Sequence, residues 1–197
     1  MKKFYFYLSF VLVALSSLMM VSCDDDVDRA ITLSGSWRGD FGMYYIYEHR
    51  GKEIQYNSYD TDIVFYPDYD YATHGYGKQV DWYERGPYEK MYYKFDWRIR
   101  DGVIYLTYPH NPELNTAIYD YTMSHNTFTG YFDNANDRFR LYKIADYYDW
   151  DYYHDDYYYY DRYDWYDDYF YSTRAASVEE DNEPGAIIKQ GNRFSEK

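Results

Sequence analysis

The chain has 197 residues and a single cysteine, Cys23. No disulfide can form within it, so an apolar core must hold the fold. Basic residues are in deficit: 20 Lys and Arg stand against 34 Asp and Glu, a net charge of −14. That balance repels phosphate backbones and excludes a nucleic-acid partner. It also opposes electrostatic attachment to anionic lipid. Catalytic signatures are missing: there is no Gly-x-Ser-x-Gly, no His-Glu-x-x-His and no phosphate-binding Gly loop. The five histidines (His49, His74, His110, His125 and His154) are scattered, without Cys partners or close His pairs. No metal site, no cofactor and no enzymatic activity are expected. What the chain does have is aromatic rings: 33 Tyr, 11 Phe and 5 Trp supply the bulk of the core and exceed what one core can bury.

The lone cysteine sits at a junction. Lys2 and Lys3 precede an apolar run from Phe4 to Val21, and Asp24-Asp25-Asp26 follow Cys23. A positive start, an apolar middle and small residues before a cut make a secretory signal. The competing reading is an uncleaved anchor. The run is near the minimum length of a bilayer span, and Ser9, Ser16 and Ser17 weaken it. Met20-Val21-Ser22-Cys23 resembles the lipobox of bacterial lipoproteins, with Met20 where Leu is usual. The resemblance implies removal of residues 1–22 and acylation of Cys23, with palmitate-type chains forming a stable membrane anchor. Asp24, Asp25 and Asp26 resemble the export signal of Bacteroidota surface lipoproteins. In other Gram-negative groups, Asp directly after the cysteine instead means retention at the inner membrane. The expected location is the outer membrane, facing the cell exterior, with a periplasm-facing lipoprotein as the alternative. Residues 23–33 are expected to be an acidic tether.

Residues 34–145 alternate apolar and polar side chains with period two, the mark of half-buried strands. Trp37, Gly39, Phe41, Met43, Tyr45 and Tyr47 share one face of a first strand, and Gly39 offers a place for a neighbour's close approach. Further strands are expected at Asp62 to Tyr66, about Thr73 to Tyr83, Lys90 to Arg100, Val103 to Tyr108, Thr116 to Met123, Thr127 to Phe132 and Arg138 to Ile144. In the clearest, Met91, Tyr93, Phe95, Trp97 and Ile99 face one way. Asp101-Gly102 suits a type I′ hairpin turn. The polar loop Asp133, Asn134, Asn136 and Asp137 lacks the Gly and closing Glu of a calcium loop and reads as an ordinary turn. The predicted fold is all-β, about eight antiparallel strands. An up-and-down barrel removes sheet edges; an open sandwich is the competing closure.

Gly35-Ser36-Trp37 resembles the Gly-x-Trp signature that opens the first strand of lipocalins. The resemblance covers residues 34–145 and is nearest to the small lipocalin-like domains of Bacteroidota surface lipoproteins. It implies that Trp37 packs at the closed end of the barrel beneath a basic residue of the last strand, Arg138, Arg140 or Lys143, in a cation–π contact.

From Tyr147 to Tyr171 every residue is Tyr, Asp, Trp, Phe, His or Arg, so ordinary aliphatic packing is unavailable. Residues 146–172 form a Tyr/Asp-rich low-complexity segment, solvated or folded over the barrel, and residues 173–197 are expected to be a disordered tail. Two non-enzymatic functions follow. In one, the barrel binds a small apolar or amphipathic ligand, or a glycan, with Trp37, Phe41, Tyr93, Phe95 and Trp97 lining it. In the other, the barrel is filled by its own side chains and the Tyr/Asp-rich segment docks an envelope protein partner.

Overall fold

The computed structural model describes residues 21–133, 135–146 and 185–195, with side chains from Asp25 onward. Residues 1–20 of the expected signal segment, the Tyr/Asp-rich residues 147–172 and residues 173–184 of the expected tail lie outside the described residues.

Eight antiparallel strands close into a barrel: β1 (Gly35–Asp40), β4 (Asp60–Pro67), β5 (His74–Trp82), β6 (Lys90–Arg100), β7 (Val103–Thr107), β8 (Thr116–Met123), β9 (Thr127–Phe132) and β10 (Phe139–Ala145). Around the barrel they run β1, β10, β9, β8, β7, β6, β5, β4 and back to β1. Closure leaves no edge unpaired, which settles barrel over sandwich. Hairpin chemistry sets much of the register. Asp101 and Gly102 adopt φ of 52° and 75°, the paired positive angles of a type I′ turn, and place Arg100 opposite Val103.

The expected first strand is in fact two. β1 stops at Asp40, Gly42 takes φ 79°, and β2 (Met43–His49) leaves the barrel wall. The Asp40 carboxylate accepts the Gly42 N–H at 2.9 Å and stabilises the break. Inward alternation nevertheless runs through it: Trp37, Phe41, Met43 and Tyr45 are all buried. β2 pairs on one side with β3 (Lys52–Asn57) and on the other with β11 (Ala186–Asn192). This small sheet roofs one end of the barrel. Met43 and Tyr45 join the same buried cluster as Tyr83 of the β5–β6 link and Met91 and Tyr93 of β6. Part of the stretch expected to be a disordered tail is therefore a strand. Its pairing with β2 is long-range, and nothing in a polar terminal segment announces it.

The opposite end is closed by α1 (Val21–Leu33). The expected acidic tether is thus a helix. Asp26, Ala30 and Leu33, at i, i+4 and i+7, are buried on one face, while Asp25, Asp28 and Ile31 remain exposed. Asp26 ties the helix down: it accepts the Gly102 N–H of the β6–β7 turn at 3.0 Å and pairs with Arg29 at 2.7 Å. Asp26→Ala removes a buried charged acceptor and should cost about 1–3 kcal/mol, read as a lower urea midpoint with the strand signal in circular dichroism retained.

Candidate functional site

The barrel interior is the place where a ligand chamber was expected. β1 enters at the α1 end. Gly35 has φ 111°, and a Cβ there would lie 2.5 Å from the Ala145 carbonyl oxygen, so the strand needs glycine to lie this close to β10. Gly39 faces the same strand as closely: a Cβ on it would meet the Arg140 carbonyl oxygen at 2.4 Å. Trp37 then points inward. Its Nε1–H donates to the Leu33 carbonyl of α1 at 2.7 Å. Lys143 stands directly opposite in register on β10, with Nζ 5.0 Å from the Trp37 ring centroid. Of the three basic candidates, Lys143 makes this contact. Its ammonium also donates to the Thr32 carbonyl at 3.1 Å and pairs with Asp146 at 2.9 Å. The positive charge thus meets the negative C-terminal end of α1. Asp146 is held below the usual carboxylate range by its bond to Lys143.

The five residues expected to line the chamber do converge inside the barrel, but on each other and on further rings. Trp37, Phe41, Tyr93, Phe95 and Trp97 are between 0% and 3% exposed. Trp37 packs edge-on to Phe128 at 5.7 Å, and Phe41 lies 4.7 Å from Phe132 and 5.1 Å from Phe139. Phe95 lies 5.4 Å from Phe65 and 5.5 Å from Tyr108. Trp97 donates Nε1–H to the carbonyls of Tyr66 at 3.0 Å and Tyr76 at 3.1 Å. Space for this many rings comes from β5, whose inward face is Gly75, Gly77, Gln79 and Asp81. A Cβ on Gly77 would lie 2.1 Å from the Phe95 ring. An eight-stranded barrel is just wide enough to be filled by side chains, and aromatic side chains occupy this one.

Sequence reasoning missed a buried polar group at the roofed end. Thr61, Gln79 and Asp81 are each 0% exposed. The Thr61 hydroxyl donates to Asp81 Oδ1 at 2.6 Å, and Gln79 Nε2 donates to both Asp81 oxygens at 3.0 Å. The Tyr108 hydroxyl donates to Gln79 Oε1 at 2.8 Å. Burial pushes the Asp81 carboxyl up to about 7. The Thr61 and Gln79 hydrogen bonds oppose the rise, and the nearby charge of Asp40 adds to it. Burial likewise raises the Tyr108 phenol well above its usual range. The signal for Asp81 was present in the phase of β5 but lost among the many Asp residues of the chain.

Above this group the chain is clasped. Asn192 Nδ2 donates to the Phe41 carbonyl at 2.7 Å, Arg193 Nη1 donates to the Ser58 carbonyl at 3.2 Å, and Arg193 Nη2 pairs with the Asp40 carboxylate. On the outside of the wall, Arg38 holds Asp62 (Nη2 to Oδ2 2.9 Å), and the Trp82 indole donates to the same oxygen at 3.0 Å.

The expected export signal divides. Asp25 is exposed, 3.9 Å from Arg29, while Asp26 is consumed in holding α1 to the barrel. The side chains of Cys23 and Asp24 lie outside the described residues. Among the described residues no helix is long and apolar enough to cross a membrane, and no cluster of three or more His, Cys, Asp or Glu could hold a metal.

No family model, no curated protein and no solved structure matches this chain. The site has to be read from its own geometry.

Asp81 makes a pH prediction. Its folded pKa lies above the unfolded value of 3.8, so the folded state holds the proton more tightly. The stabilisation is complete below pH 3.8 and lost as pH rises through about 7. Asp81→Asn cannot ionise. Its stability relative to the native protein should therefore increase from pH 4 to about pH 7 and level off beyond, as read by thermal melts across that range. A difference independent of pH would contradict the assignment.

Proposed function

We propose that this protein is a non-enzymatic, lipid-anchored component of a bacterial cell envelope, and that its filled barrel is a scaffold working through its outer surface. The observation that carries this reading is the packing of Trp37, Phe41, Tyr93, Phe95 and Trp97, the residues a ligand would have to touch, against other rings at 0–3% exposure. Both ends are covered as well, one by α1 and the other by the sheet of β2, β3 and β11. Admission of a ligand would require the roof to lift and rings worth about 1.5–3 kcal/mol each in burial to swing aside. The outer surface instead is rich in polar-tipped rings: Tyr59, Tyr69, Tyr71, Tyr76, Tyr105 and Tyr142 are exposed. Such rings suit protein or glycan surfaces because each offers an apolar face and a hydroxyl.

The Tyr/Asp-rich segment fits the same reading. Asp146 follows β10 at the α1 end, and Gly185 precedes β11 at the roofed end. The two described residues that flank the run thus lie at opposite ends of the barrel. The segment's partner in this reading is a protein of the envelope with a basic surface, matched to the net charge of −14. Lipidation of Cys23 and export to the cell exterior rest on the order Lys-Lys, apolar run, small residues, Cys and Asp-Asp-Asp.

Native mass spectrometry of the mature protein, isolated gently from its own cells, should show no stoichiometric small-molecule adduct. It should show a protein partner that is lost when residues 147–172 are replaced by a Gly/Ser linker of equal length, which preserves β11. A stoichiometric adduct of small mass would return the protein to the carrier class. Protease treatment of intact cells should remove the barrel; survival of the barrel until lysis would place the protein on the periplasmic side.

A further inference from the structure

We propose that α1 is a short stalk that holds the barrel end-on to a lipid bilayer, with its α1 end at headgroup level and its roofed end facing away. This rests on the reading of Cys23 as the lipid anchor, and it adds an orientation which that reading does not contain.

Leash length decides the matter. Residues 23–33 as an extended spacer would reach roughly 36 Å and let the barrel tumble freely above the membrane. The structure shortens that leash. Asp26 is 7% exposed and bound to the Gly102 N–H and to Arg29. Ala30 and Leu33 are buried on the same helix face, and the last carbonyls of α1 accept from Lys143 and Trp37. Only the stretch from Cys23 to Asp25 is left to pay out, about 10 Å when fully extended and about 4.5 Å as helix. Acyl chains on Cys23 therefore bring the barrel end within one headgroup layer of the hydrocarbon.

The side chains at that end fit an interface. The β4–β5 loop, at the α1 end of the barrel, exposes Tyr69 and Tyr71 at 62% and 71%. Ile31 on the outer face of α1 is 50% exposed, and Ile144 near the close of β10 is 53% exposed. Tyrosine favours the headgroup level because its ring is apolar and its hydroxyl is wet. Asp25 and Asp28 share the outer face of α1, so the contact is with headgroups and not with the hydrocarbon, and anionic lipid weakens it.

The test uses the full lipidated protein in phosphatidylcholine vesicles. On the anchor reading the only native thiol is acylated, so one added cysteine is the sole site for a nitroxide. Tyr71→Cys and Tyr59→Cys label the two ends of the barrel, since Tyr59 binds the Trp82 carbonyl at the roofed end. The nitroxide at position 71 should show headgroup-level protection from a water-soluble nickel relaxant, with several-fold lower accessibility than the one at position 59. Adding Asp26→Ala should lengthen the leash and bring the two values together. Equal, water-like accessibility at both positions in the protein with native Asp26 would overturn the orientation while leaving the anchor intact. Failure of the native protein to float with the vesicles, with an unmodified Cys23 peptide by mass, would remove the anchor reading and the orientation with it.

Discussion

Trp37 is the residue on which the architecture turns. Its ring plugs one end of the barrel, its indole N–H joins β1 to the last carbonyl of α1, and its face carries the Lys143 ammonium from β10. One side chain thereby links the first strand, the last barrel strand and the helix that covers them. Lys143 is nearly buried, with its side chain 9% exposed, yet its charge is answered by Asp146, the Thr32 carbonyl and the π face. A buried cation without such partners would be costly. The contact is therefore a closure that forms only when all three elements are in place.

The rest of the interior follows from a limit on volume. Eight strands set the width of the barrel, and rings from nearly every wall compete for it. The wall answers with small residues where the rings are largest, as at Gly77 beneath Phe95. The polar trio of Thr61, Gln79 and Asp81 is the exception, and it shows the usual rule for buried polar groups: each finds a partner. A filled interior moves the functional question outward, to the exposed tyrosines.

Much of the wall was legible because its alternation was clean. Lys90–Arg100, Thr116–Met123 and Thr127–Phe132 begin and end where the pattern does. Other elements were not. β3 was overlooked because Lys52–Asn57 is exposed on both faces apart from Tyr56, so it carries no apolar period. The acidic stretch after Cys23 looked like a spacer because its buried face needs only Asp26, Ala30 and Leu33. The five candidate lining residues are buried together, but an inward-facing pattern does not reveal whether it surrounds a cavity or fills one.

The sequence by itself determined the all-β class, the eight barrel strands, the type I′ turn at Asp101-Gly102 and the inward phase of the aromatic rings. These depend on local steric preference and on a two-residue period, both written along the chain. Tertiary structure alone decided the rest. It split the first strand at Gly42, brought β11 back across some 140 residues to pair with β2, and turned an acidic leader into a helix pinned by Gly102. It also chose Lys143 from three basic candidates and closed the chamber on its own side chains. The physical reason is common to all of these: each is a contact between segments far apart in sequence, whose free energy comes from partners that no local pattern names.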